Sequence, residues 1–303
     1  ESRAVVANVT SRMTNQVSRE HHFVPKLLLR PWLVKKPTGD EILLDYWWDP
    51  RSDSLACKTR GLDRFCFQLD LLSLKKHPLG RDAIERIFFG DIDTQGSLAR
   101  DVLLNSGPSA LSVDQRCDFA RLLMSLEARR PANVERLRTE GSATFRDDLD
   151  NDPDILREFD NHGIKVLPSD FVERILGRDL EDGALTIVQR LVDNPNVGRR
   201  LINAHWDVRR LNSLSGSLTL SDRPLIRING FDQTGAAWLL PLSPDSAFIA
   251  CNDKPNLTKL MRLSDRRFVK EFNRSSVRQT ERFVFCIDKS HEDWIGRHLR
   301  GRL

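Results

Sequence analysis

The sequence predicts an α+β protein, a mostly helical body with a small antiparallel sheet in the C-terminal third, and three observations carry that expectation. Apolar residues recur at helical spacing through the middle of the chain. Short β-like runs follow one another after Ala204. A single clear strand, Glu41 to Trp48, stands apart near the N-terminus, bounded by Thr38-Gly39-Asp40 and Asp49-Pro50. Strands split around a helical body are the mark of this class rather than of alternating α/β units.

Residues 1–18, rich in Ser, Thr, Asn and Val without periodicity, read as an arm that is ordered only by docking. Residues 19–303 then read as one large domain with a sub-boundary near 204. Pro25 disfavours helix at Val24, so His21 to Val24 is expected to be extended, and Lys26 to Arg30 starts a turn that Pro31 limits. In an extended segment His21 and His22 face opposite ways, and one of them, taken as His22, points into a pocket. A short second strand is expected between Arg64 and Leu69. Asp82 to Glu85 has capping-box spacing and opens a helical stretch to Asn105, with Gly90 and Gly96 as weak points that could divide it.

Ser112-Val113-Asp114-Gln115 is a cleaner capping box, and Val113, Cys117, Ala120, Leu123 and Met124 follow at helical spacing up to Arg129-Arg130-Pro131. Further helical pieces are expected at 153–159, 169–176 and 183–192 between proline breakers. Alternation at His205 to Arg209 and β-like runs at 217–221, 225–228, 237–240 and 247–251 form the late sheet. Helix is expected again from Ser264 through Phe285.

Composition narrows the function classes without choosing one. The net charge is +4 at pH 7, with 47 basic residues, mostly arginine, interspersed with 43 acidic ones. Arginine's planar fork suits phosphate or carboxylate, but a dispersed charge is not the footprint of a nucleic-acid reader. Cys57, Cys66, Cys117, Cys251 and Cys286 include no Cys-x-x-Cys pair and suggest neither a disulfide framework nor a zinc ribbon. No apolar run approaches the length of a membrane span, so no membrane partner is expected, and a reducing cytoplasm is the expected location. Gly-x-Ser-x-Gly, P-loop and Gly-x-Gly-x-x-Gly words are missing, which removes the main support for ordinary serine hydrolases, P-loop NTPases and Rossmann enzymes.

The stretch Arg19-Glu20-His21-His22-Phe23-Val24-Pro25, with Leu29-Arg30 and Trp32 after it, places two histidines where packing gives them no obvious work. Imidazole both ligates metals and exchanges protons near neutral pH, so His22 is a candidate base or ligand; a structural hydrogen bond is the competing explanation. The same word looks like the first strand of an HNH nuclease finger. Such a finger needs an asparagine and another histidine or asparagine soon after, yet no histidine follows before His77 and no asparagine before Asn105. The finger is incomplete as written.

The His-His-Phe-Val-Pro word resembles the opening signature of a bacterial family known as domain of unknown function 4238. The likeness continues in Leu218-Thr219-Leu220-Ser221-Asp222-Arg223-Pro224 and in Leu240-Pro241-Leu242-Ser243-Pro244, with Trp206 and Asn273 extending it. It implies relatives, not a reaction. It also implies two acids on a helix, Glu85 and Asp93, and an arginine before a small residue and proline, matched by Arg129 and Arg130. Eight residues of straight α-helix would set Glu85 and Asp93 about 12 Å apart along the axis.

The expected site is therefore a cluster of His22, Glu85 and Asp222 as catalytic groups, with His22 and Asp222 holding a divalent metal ion and Arg30 and Arg129 binding an anion. The expected activity is that of a metal-assisted phosphoesterase or nuclease-like hydrolase acting on a phosphate-containing or nucleic-acid substrate. The alternative is a non-catalytic binding or regulatory protein whose His-His-Phe-Val-Pro motif fastens the N-terminus to the fold, with Asp222 capping a turn.

Overall fold

The computed structural model describes residues 19–300, Pro78 and Phe231 excepted; the expected arm, 1–18, lies outside the described residues. Along the chain the strands are β1 (Glu20–His22), β2 (Val34–Lys35), β3 (Glu41–Asp49), β4 (Ser54–Arg60), β5 (Phe67–Leu69), β6 (His205–Arg210), β7 (Leu220–Ser221), β8 (Ile226–Ile228), β9 (Ala237–Ser243), β10 (Ser246–Cys251) and β11 (Val284–Cys286). The α-helices are α1 (Lys26–Leu29), α2 (Gly90–Ser106), α3 (Val113–Ala128), α4 (Pro131–Arg136), α5 (Ser142–Asn151), α6 (Pro153–Asn161), α7 (Pro168–Asp170), α8 (Leu180–Val192), α9 (Pro195–Asn203), α10 (Lys254–Met261), α11 (Asp265–Gln279) and α12 (Glu292–Leu299). The protein is α+β and dominated by helix, with small antiparallel sheets.

The late sheet has the order β6-β10-β9-β8 and is antiparallel throughout. Its strands alternate between two cores. Trp206, Val208, Trp238, Leu240, Phe248 and Ala250 enter the main core, while Ile226, Ala237, Leu239, Ala247 and Ile249 pack against Leu257, Phe268 and Phe272 of α10 and α11. Both faces are covered, so β9 and β10 are nearly continuously apolar rather than alternating with polar residues.

A second sheet joins distant parts of the chain: β2-β3-β11-β7, with β4 on the other side of β3. One sequence expectation is corrected here, and one strand appears that the sequence pattern does not predict. The helix expected through Phe285 stops at Gln279, and Val284–Cys286 becomes a strand between β3 and β7. The hairpin partner β4, whose Lys58, Thr59 and Arg60 are exposed, carried too little apolar signal to be read as a strand. Its pairing with β3 supplies the stability that its own composition lacks.

The helix-rich middle is more continuous than its glycines suggest. Ile84–Phe89 forms a π-helical segment that runs directly into α2. Gly96 does not interrupt α2; a Cβ there would lie 2.9 Å from Leu122 of α3, so the missing side chain lets the two helices pack closely. The capping box at Ser112 and Gln115 forms as expected, with both reciprocal hydrogen bonds in place. The main core runs from Val24 to Phe285 and includes residues on both sides of Ala204. All five cysteines are free thiols.

Candidate functional site

Strand β1 pairs with β5 in the register Glu20 to Leu69, His21 to Gln68 and His22 to Phe67, which turns the two histidines to opposite sides. His21 is fully buried, and its Nδ1 accepts the Leu72 backbone N–H at 2.8 Å. His22 borders a cleft of about 500 Å³ together with Lys26, Arg30, Glu85, Asp93 and Arg100. Strand alternation thus separates the two histidines, and the packing of β1 on the helical body decides that His22 faces the cleft.

The far wall of the cleft is the π-helical segment and the first turns of α2. Asp82 and Glu85 do not form the expected capping box; the Glu85 Oε1 instead accepts the His22 backbone N–H at 3.2 Å. In an uninterrupted α-helix residues eight apart differ by about 80° around the axis. The wider π turn, closed by the Gly90 N–H on the Glu85 carbonyl, brings Glu85 and Asp93 to border the same cleft. Such insertions occur often at functional sites.

Two polar atoms of this pair lack partners: the His22 Nε2 and the Glu85 Oε2 are buried without a hydrogen bond. Their protonation is biased by the same dryness. Burial, assisted by the Lys26 ammonium, holds the His22 imidazole below its ordinary value. Burial raises the Glu85 carboxyl from 4.5 to about 7, against the downward pull of Arg129 and of the His22 N–H. A neutral imidazole and a carboxyl that titrates near neutrality therefore border one cleft.

Bases and acids border the cleft in equal number, Lys26, Arg30 and Arg100 against Glu85, Asp93 and Asp101. Arg30 is exposed at its edge and forms no ion pair among the described residues. Lys26 pairs with Asp63 at 2.5 Å. Arg100 reaches across to the Leu242 carbonyl at 2.6 Å, tying α2 to the Pro-Leu-Ser-Pro word in β9.

Arg129 does not present its charge to this opening. It is fully buried, donates to both carboxylate oxygens of Asp93 at 3.0 and 2.6 Å, and donates to the Ser125 Oγ at 2.8 Å. Its guanidinium also lies over the Phe89 ring, 4.9 Å from the centroid. The expected anion-binding role is replaced by one of holding Asp93, because the planar fork is already saturated on its carboxylate side. The sequence signal, an arginine at a helix end before proline, could not distinguish a surface anion site from an internal clamp.

Asp222 is the larger correction. The two signature words do meet: the Trp32 indole donates to the Leu218 carbonyl at 3.0 Å. Yet Asp222 does not border the His22–Glu85 cleft. It follows β7 directly, and its carboxylate accepts from the Thr280 hydroxyl at 2.8 Å and from the backbone N–H groups of Glu281, Arg282 and Phe283 at 2.9, 2.6 and 3.1 Å. Four donors of that turn converge on one side chain. Asn273 serves a similar purpose, accepting the Thr219 N–H and donating to the Ser217 carbonyl, both at 2.9 Å.

The pair expected to bind metal, His22 and Asp222, is thus separated. Among the described residues no group of three or more His, Cys, Asp or Glu side chains could hold a metal ion. The donor set does not fit the divalent ion expected from the sequence. Sequence reasoning missed Lys26 and Arg100 as cleft residues. Lys26 stands four residues from His22 and could have been found from that spacing, whereas Arg100 is visible only through its reach to Leu242.

No helix among the described residues is long and apolar enough to cross a membrane. Residues 20–290 match the family described as "Protein of unknown function (DUF4238)", and the chain belongs to that family. No curated protein and no solved structure matches the chain.

Proposed function

We propose that this DUF4238 family member is a phosphoesterase or nuclease-like hydrolase that works by general acid–base chemistry in the His22–Glu85 cleft. One observation carries the reading: an unpartnered neutral imidazole nitrogen and a carboxyl titrating at about 7 border the same opening as the Arg30 guanidinium, which is unpaired among the described residues. The Arg30 guanidinium takes a non-bridging oxygen of the phosphate group. The His22 Nε2 accepts a proton from the attacking water as its oxygen bonds to phosphorus, and protonated Glu85 gives its proton to the leaving oxygen as the ester bond breaks. The products are an alcohol and a phosphate, and the two side chains exchange protonation states until solvent resets them.

The test is hydrolysis of p-nitrophenyl phosphate, of its bis-ester and of a DNA strand by the wild type, His22→Ala and Arg30→Ala. The reading requires release well above background that His22→Ala abolishes, and that Arg30→Ala weakens chiefly through KM. Equal background release by all three proteins on every substrate sinks it.

A second reading is favoured by a different observation, the paired locks of the motif. His21 accepts from Leu72, and the His22 N–H donates to Glu85, so the same word fastens β1 to the helical body. On that reading the protein binds or regulates without chemistry. A large loss of thermal stability in His21→Ala, which removes the acceptor of the Leu72 N–H, with no activity in the wild type, supports it.

A further inference from the structure

We propose that a second groove, on the opposite side of the α3 C-terminus from the His22–Glu85 cleft, binds a small organic anion with an apolar body. The groove lies between α3, α4, the α8–α9 junction and strands β8 and β9, and its volume is about 930 Å³. Small-molecule sites typically enclose about 300–1,000 Å³. Its apolar surface comes from Met124, Leu137, Leu191, Val197 and Leu225, contributed by separate elements. The amides of Asn133, Asn194 and Asn229 line the same groove beside it.

The rim carries the charge. Arg130, Arg136 and Arg227 border the groove, and Glu127 is the acid that borders it with them. A single oxygen, the Glu127 Oε2, accepts from both Arg130 at 3.3 Å and Arg227 at 3.1 Å. Two guanidinium groups therefore already converge on an oxygen anion at the groove's edge. Arg130 also pairs with Glu281, whereas the exposed Arg136 forms no ion pair among the described residues. A carboxylate, sulfonate or phosphate head would take Arg136 and share the Arg227 guanidinium with Glu127, while its hydrocarbon or aromatic portion covers the apolar floor.

The two sites are built back to back from consecutive residues. Arg129 turns toward Asp93 and the first cleft, and Arg130 turns toward the groove. The groove's occupant is chosen by its own residues and owes nothing to the His22–Glu85 pair.

The probe is anilinonaphthalene sulfonate, an aromatic body with an anionic head, compared with phenylnaphthylamine, which has the body without the charge. The expected result is saturable one-to-one binding of the sulfonate to the folded wild type, with the uncharged probe bound more weakly. Replacing the two exposed arginines together, Arg136→Ala with Arg227→Ala, weakens the sulfonate at least tenfold and leaves the uncharged probe unchanged. Met124→Trp, which fills the groove from a half-buried position, blocks both probes, and His22→Ala affects neither. Cooperative thermal unfolding of each variant verifies that it is folded. Unchanged sulfonate affinity in the double arginine variant, binding to the filled groove, or equal affinity for the two probes overturns the proposal.

Discussion

Glu85 accepts the His22 backbone N–H at 3.2 Å while the other oxygen of the same carboxyl and the Nε2 of the same histidine are buried without partners. One bond fixes the two residues side by side and leaves the Glu85 Oε2 and the His22 Nε2 unengaged. Glu85→Gln keeps a carbonyl oxygen for the His22 N–H but cannot donate an acidic proton. On the hydrolase reading it lowers turnover by about 100- to 10,000-fold with little loss of stability. In the wild type the rate falls below the depressed His22 value, where the base is protonated, and again above about pH 7, where Glu85 has lost its proton. A pH–rate profile of the glutamine variant lacks the alkaline limb.

Arg129→Ala leaves Asp93 without its bidentate partner and opens a cavity beside Phe89. Because Asp93 is part-exposed, the expected loss lies toward the lower end of the about 3–5 kcal/mol that breaking a buried pair costs, and denaturant unfolding checks it. Because the Arg129 charge pulls Glu85 downward, its removal also moves the alkaline limb to higher pH. Arg129→Lys keeps the limb in place but loses stability, since a point charge cannot reproduce the fork.

Asp222→Ala strands the Thr280 hydroxyl and three backbone N–H groups that converge on one carboxylate. A stability loss of at least about 3 kcal/mol is expected, because orphaned donors cost more than the bonds gain. Any activity of the His22–Glu85 cleft per folded molecule is unchanged. A loss of turnover in a fully folded variant would instead tie Asp222 to the chemistry.

Asp45 sits in the middle of β3, fully buried, with both carboxylate oxygens lacking partners. Burial raises it from 3.8 to about 7, with Arg60 opposing and Asp222 adding to the shift. The folded state thus holds a proton that the unfolded chain releases near its ordinary value. Its contribution to stability is complete below about pH 3.8 and is lost as pH rises to about 7, a change on the order of 4 kcal/mol. Urea melts of the wild type and Asp45→Asn across that window should diverge, the variant gaining relative stability as pH rises. A constant difference between them contradicts the argument.

Much of the architecture was legible because it is written in local pattern. Ser112 and Gln115 announce a helix start through their own side chains, and the alternation from His205 onward announces strands. Strand alternation likewise set His21 and His22 on opposite sides, and the packing of β1 on the helical body decided that His22 faces the opening. The misread segments depend on partners far away. Val284–Cys286 follows a long amphipathic helix and becomes a strand because β3 and β7 flank it. Glu85 has the spacing of a capping residue, but the nearby His22 N–H captures its carboxylate.

By itself the sequence determined the fold class, the helical middle, the late sheet and the family, because periodicity, caps and contiguous words act over a few residues. The tertiary structure alone decided which charged groups share a space. Arg30 and Glu85 border one cleft with His22, while Arg129 is turned inward onto Asp93 and Asp222 is drawn over the turn at 280–283. Spacing along a chain cannot encode those outcomes. A buried charge settles wherever its hydrogen bonds are satisfied, and its partners here lie 36 residues away for Arg129 and 58 or more for Asp222.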